Sequence, residues 1–370
     1  MLMTLLRLGR TAAWANQRRK QPSKNDGLRR AYRKMYDDAG LFHAPEHAED
    51  LDFFLRMQRP RFVRRQYGGV DEVRHLYGLR FSYQDDTLVT ASSLLGLKLP
   101  SDILIATVPR VRRYDHLEDE YQTHSVANFL TYGQPDGFLI LASAQFVRIV
   151  EDFSAVISST TPGPDGSAIY NIAPLEILDG LAGIVTNRWL AESTPPTYGH
   201  GYVPEAIWNT PGWQLLCTMA NLSCWSFLIH HELAHIELGH VRPGTATEPA
   251  DGALSEEQEL AADAWAIGRC VEPFLDYMRA PVFRVEKPDG LAGFCIGTVL
   301  KFIGFLCALN VSGQSSLHTH PRPDARTSAA EALMALEAVR FGSADGLASA
   351  LFGAASFFQQ AIGERLPGVE

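Results

Sequence analysis

Residues 213–240, WQLLCTMANLSCWSFLIHHELAHIELGH, constrain this chain more than any other stretch. The run is apolar on nearly every side of a helix, and a helix of that kind belongs at the centre of its domain. Trp213, Cys217, Ala220, Cys224, Phe227, Leu228, His231 and His235 fall on one stripe at helical spacing. His231 and His235 are one turn apart on that stripe, so both imidazoles can turn toward a single cation. Glu232 stands beside it. A carboxylate there can take a proton from water on the cation and pass it to a leaving amine. The spacing is H-E-x-x-H, in which every fixed position has a chemical task.

Two imidazoles do not make a hydrolytic metal centre; such a zinc site needs a third protein ligand and an open position. The segment SEEQELAADAWAIGRC, which starts at Ser255, supplies the best candidate. Ser255 with Gln258 three residues on is a capping-box pattern, so a helix starts here. That helix carries Glu259 and Asp263 one turn apart, among Ala261, Ala262, Ala264, Trp265 and Ala266. Carboxylates on an alanine-rich, partly buried turn are costly unless they are paired or hold a cation. Glu259 is therefore read as the third ligand, and Asp263 as acceptor for the outer N–H of a ligating histidine. The plainer alternative is an acidic, solvated helix face. His230 points about 100° away from His231 on the helix and reads as a structural histidine. His240 suits a supporting role behind the ligands or at the helix C-terminus. A metzincin pattern would need Gly at position 238 and His at position 241, where this chain has Leu238 and Val241.

The segment THPRPDAR, residues 319–326, offers the remaining parts. His320, held by the proline after it at a helix start, could aim a donor at a developing oxyanion. Arg326 could pin that loop or bind a substrate carboxylate. An exposed loop is the plainer reading of His320.

These residues carry a resemblance. His231-Glu232-x-x-His235 with Glu259-x-x-x-Asp263 resembles the gluzincins, zinc peptidases with two histidine ligands and one glutamate ligand. HELAHIELGH, ELAAD and HPRPDAR are together more similar to the CaaX-type and heat-shock membrane peptidases and their soluble minimal relatives. A weaker similarity is to the phage-exclusion Lit-type peptidases, which cleave a translation factor inside the bacterial cell. The resemblance covers about residues 215–330. It implies a zinc ion held by His231, His235 and Glu259, with Glu232 as general base and zinc-bound water as nucleophile. It also implies Asp263 behind the ligands and His320 facing the substrate. The membrane members span the bilayer several times, whereas this chain has at most one or two segments long enough.

Composition sets the setting for that chemistry. The net charge of −9 is unevenly spread: residues 1–113 carry 21 basic and 12 acidic side chains, and the remainder 12 and 30. The basic third suits an acidic partner or simply offsets the acidic remainder; no specific nucleic-acid partner is expected. Five cysteines, an odd number with no C-x-x-C, all lie in apolar helical surroundings and read as free thiols in a reducing compartment. The first twenty residues lack signal-peptide order, because their basic residues follow the short apolar run. Residues 291–309, LAGFCIGTVLKFIGFLCAL, are long enough to cross a membrane, but Lys301 and three glycines interrupt them. A buried core helix is the preferred reading, with a membrane-inserted one as the alternative.

Strand-like patterns run through HLYGLRFSY, DTLVTASSLLGLKLP and DILIATVPRV between residues 75 and 111. Residues 115–131 resemble a helix. Beyond a Gln134–Gly137 turn, FLILASAQFVRIVEDFSAVI is a strand entering a buried helix, or one long helix. The expected class is α+β. A basic arm (1–40) and a mixed α/β region (41–165) precede a helical, zincin-like metallopeptidase domain (166–370). The expected function is zinc-dependent hydrolysis of a peptide bond in a protein substrate by a cytoplasmic enzyme. The alternatives are a protein-binding module with a structural zinc, and a peptidase tethered to a membrane through 291–309. Iron also takes two-histidine, one-carboxylate sites.

Overall fold

The structure is a computed structural model. It describes residues 27–28, 31, 91–108, 111–112, 125–126, 129–162, 168–170, 176–183, 213–244, 255–279, 288–311, 323–342 and 354–366. The strand expected at HLYGLRFSY, His320 and nearly all of the basic arm lie outside the described residues.

The architecture is α+β and rich in helix. Strand β1 (Ile103–Val108) is followed by a short pair, β2 (Val111–Arg112) with β3 (Ser125–Val126). Strand β4 (Phe129–Gln134) turns at Pro135–Asp136 into β5 (Gly137–Ser143), which leads directly into helix α1 (Ala144–Ile157). Of the two readings open for that stretch, a strand entering a helix is the one observed. A second short pair is β6 (Thr160–Pro162) with β7 (Ala168–Tyr170). Residues 176–183 are helical, and then come helices α2 (Trp213–Glu237), α3 (Glu256–Met278), α4 (Pro288–Val311), α5 (Pro323–Arg340) and α6 (Ala354–Gly363).

Two local expectations are corrected. Residues 91–94 are helical rather than extended, and the turn closes at Gly96 with φ +64°. Ala91 and Leu95, four apart, are both buried, and that spacing is helical. Of the stretch 115–131 expected as helix, residues 125–126 and 129–131 are strand, and the others lie outside the described residues. Phe129, Leu130 and Thr131 pair with Ala142, Leu141 and Ile140, because the tight turn brings β4 back along β5.

The main sheet has the order β1-β5-β4, with β1 parallel and β4 antiparallel to β5. Among the described residues β4 is an edge strand. Its register shows which backbone groups are outward. The Phe138 amide donates to the carbonyl of Asp102, just before β1 (2.8 Å), so the alternate residues Gly137, Leu139 and Leu141 face β4. Their partners Gln134, Tyr132 and Leu130 face back. The amides and carbonyls of Phe129, Thr131 and Gly133 therefore point away from the sheet.

One core joins the sheet to the helices. Trp225 of α2 is fully buried, with Phe129 of β4 and Phe146 of α1 meeting it edge-on at 5.8 and 6.5 Å between centroids. Phe153 of α1 reaches Phe302 and Phe305 of α4 at 5.0 and 5.1 Å. Each such ring contributes roughly 1.5–3 kcal/mol by leaving water. Helix α4 includes Gly290–Leu309, long and apolar enough to cross a membrane, and 89% of its most apolar window is buried inside the protein. Gly304 is required where α6 comes close: a Cβ built there would lie 2.5 Å from the Ala355 carbonyl oxygen.

Candidate metal centre

Helix α3 begins as its sequence dictates. Ser255 Oγ accepts from the Gln258 amide (3.2 Å), and Gln258 Oε1 accepts from the Ser255 amide (2.8 Å). This reciprocal cap fixes where the first turns of α3 lie, and so places Glu259 and Asp263 against α2. Ser226 of α2 donates to the Cys270 carbonyl of α3 at 2.7 Å and holds the two helices in register.

The result is a buried meeting point. His231, His235, Glu259 and Asp263 are 2–7% exposed, so the carboxylates do not form a solvated face. His231 Nε2 and His235 Nε2 are 3.2 Å apart. Glu259 brings Oε2 to 3.3 Å from His231 Nε2 and Oε1 to 3.7 Å from His235 Nε2. These three residues can each offer one ligand atom, all within 4.8 Å of one another. Ligands about 2.05 Å from a tetrahedral zinc ion stand roughly 3.3 Å from each other. The spacing and donor types fit such an ion.

Behind the ligands, His231 Nδ1 is 2.8 Å from Asp263 Oδ1. Arg326 of α5 holds that carboxylate with two bonds, Nε to Oδ2 at 2.6 Å and Nη2 to Oδ1 at 2.9 Å. Sequence reasoning gave Arg326 to a loop or a substrate carboxylate; its guanidinium is instead buried and committed to Asp263. Burial alone would raise the Asp263 pKa, but Arg326 and His231 outweigh it and hold the group below its ordinary range. His235 Nδ1 lies 3.0 Å from His240 Nδ1, which gives His240 the supporting position. Gly239, at φ +71°, is the left-handed residue that ends α2 and swings His240 back. His230 Nδ1 contacts the Ser226 carbonyl at 2.7 Å inside the packing, as a structural histidine does.

The field in this pocket favours positive charge. Burial would lower the His231 pKa, but hydrogen bonds and charges from Asp263 and Glu259 raise it to about 10. Burial and a charged His231 push His235 down to about 3. Burial lifts Glu232 to about 7, against the downward pull of His231 and of Thr131.

Thr131 is the residue that sequence reasoning missed. Its Oγ1 lies 2.7 Å from Glu232 Oε2 and 3.2 Å from Glu232 O. It sits 101 positions before Glu232 in a strand with no motif, and only strand register and the packing of β4 on α2 reveal it.

Residues 208–344 match the model of the family Peptidase U49. The matched span begins before α2, ends after α5 and includes every residue named in the metal centre except Thr131. It supports a peptidase, and a peptidase acts on protein or peptide substrates. No curated protein and no solved structure matches the chain.

Proposed function

We propose that the chain is a metal-dependent endopeptidase of gluzincin type, with His231, His235 and Glu259 holding a zinc ion and Glu232 acting as general base. The observation that carries this is the convergence of the three side chains: the two Nε2 atoms are 3.2 Å apart, close to the edge of a zinc tetrahedron, with one Glu259 oxygen 3.3 Å from His231 and the other 3.7 Å from His235. A bound zinc ion would polarise the scissile carbonyl and lower the pKa of water beside it.

The chain's own residues do the rest. Asp263, fixed by Arg326, orients the His231 ring so that Nε2 faces the centre. Glu232, buried and next to the ligands, takes the proton from the attacking water and delivers it to the departing amine. The outward backbone groups of Thr131, which is half-buried, offer a substrate peptide a place on the strand edge at which to pair. His320 remains the proposed donor to the oxyanion.

We propose a cytoplasmic enzyme with α4 as a core helix. The burial of α4 and of four of the five cysteines supports this, and burial also raises each of those thiols' pKa. Carbonate extraction of membranes should release the whole chain.

The deciding experiment measures metal content and cleavage of a proteome-derived peptide library for the wild type, Glu232→Gln and Glu259→Ala. The expected result is one zinc per chain in the wild type and in Glu232→Gln, and loss of zinc in Glu259→Ala. Cleavage should occur only in the wild type. Zinc retained by Glu259→Ala, or undiminished cleavage by Glu232→Gln, would overturn the reading. A wild type that binds zinc and cleaves nothing would favour a structural zinc in a binding module.

A further inference from the structure

We propose that Thr131, on the edge strand, is a positioning residue that locks the Glu232 carboxylate through a 2.7 Å hydrogen bond and so sets which of its oxygens faces the reacting water. This deepens the proposed function and rests on it.

The geometry assigns the roles of the two oxygens. A threonine hydroxyl has one proton to donate. Of its two acceptors on Glu232, Oε2 is nearer at 2.7 Å and the backbone oxygen is at 3.2 Å. A charge-assisted bond to a carboxylate is the shorter and stronger kind, so the proton belongs to Oε2. With Oε2 engaged, Oε1 is left to face the water. Without the bond, the carboxylate rotates about its last torsion, which is a broad and soft one. A base with a free rotor spends much of its time in the wrong orientation, and misplacement by about 1 Å can cost on the order of 100-fold in rate.

The location of Thr131 gives the bond a second consequence. Its side chain reaches α2, while its amide and carbonyl point outward at the edge that β4 forms among the described residues. A peptide that pairs with that edge therefore orders the same residue that holds the base. Substrate alignment and base alignment share one backbone unit.

The test compares Thr131→Val, which keeps the shape and loses the donor, with Thr131→Ser, which keeps the donor. The full-length zinc-loaded protein is assayed on one peptide that the wild type cleaves, with zinc content and circular dichroism measured in parallel. Thr131→Val should keep its zinc and a KM within about twofold, and lose about 10- to 100-fold in kcat. Thr131→Ser should recover kcat to within about threefold of the wild type. Equal kcat in Thr131→Val and the wild type would overturn the inference, as would a Thr131→Ser no faster than Thr131→Val. Should Thr131→Val lose the fold, Thr131→Ala against Thr131→Ser makes the same comparison. Glu232→Gln separates the two failures. If it is inactive while Thr131→Val runs at full rate, only the positioning role falls; if it is active, the base assignment falls first.

Discussion

Arg326→Met tests the buried pair behind the ligands. The substitution keeps most of the length of the side chain and removes the guanidinium that makes both bonds to Asp263. The two side chains are 6% and 3% exposed, so water does not screen the pair. Removing one partner of such a pair costs about 3–5 kcal/mol, because the other charge stays buried and uncompensated. Here His231 Nδ1 remains 2.8 Å from Asp263 and can share its charge, which puts the expectation at the lower end, about 3 kcal/mol. In a chain of this size that corresponds to a fall in Tm of roughly 4–6 °C. Thermal melts followed by circular dichroism, without metal, read this directly. Arg326→Met combined with Asp263→Asn removes both charges and should recover most of the loss. Zinc affinity, measured by competition with a chelator, should fall by about 10- to 100-fold in either single variant, because the His231 ring loses its anchor. A Tm within about 1–2 °C of wild type for Arg326→Met, or a double variant as unstable as the single, would refute the reasoning.

Two further predictions concern α4. Gly304→Ala should destabilise by about 1–3 kcal/mol in a denaturant titration, because its Cβ would meet the Ala355 backbone at 2.5 Å and force α4 and α6 apart. Lys301, whose pKa burial lowers, should be better as methionine. The folded pKa lies below the unfolded one, so the fold carries a penalty at neutral pH that fades as pH rises toward the ordinary lysine range. Lys301→Met should accordingly raise Tm at pH 7, with the gain shrinking in melts above about pH 9.

The parts of the site that were legible in the sequence are those encoded locally. The i, i+4 spacing of His231 and His235 fixes a shared helix face, and the Ser255–Gln258 box fixes where α3 starts and thus where Glu259 and Asp263 fall. Both features need only helix geometry. Arg326 and Thr131 were harder because their partners are set by tertiary packing. Arg326 lies 63 positions from Asp263 in sequence. Thr131 depends on the register of β4, and the strand itself was obscured by a mixed-charge stretch that reads as helix up to its first residues. The short helix at 91–94 was hidden for another reason. Leucine and threonine fill that segment in numbers that suit a strand, and the decisive spacing of Ala91 and Leu95 spans barely one turn.

The centre draws on pieces made at very different times during synthesis. Thr131 comes from an early strand, the histidines and glutamates from two middle helices, and Arg326 from a helix near the end of the chain. A ribosome-bound fragment that stops short of α5 leaves Asp263 without its counter-charge and the His231 ring without a firm hold. On the proposed function, such a fragment would hold zinc about 10- to 100-fold more weakly until α5 is made.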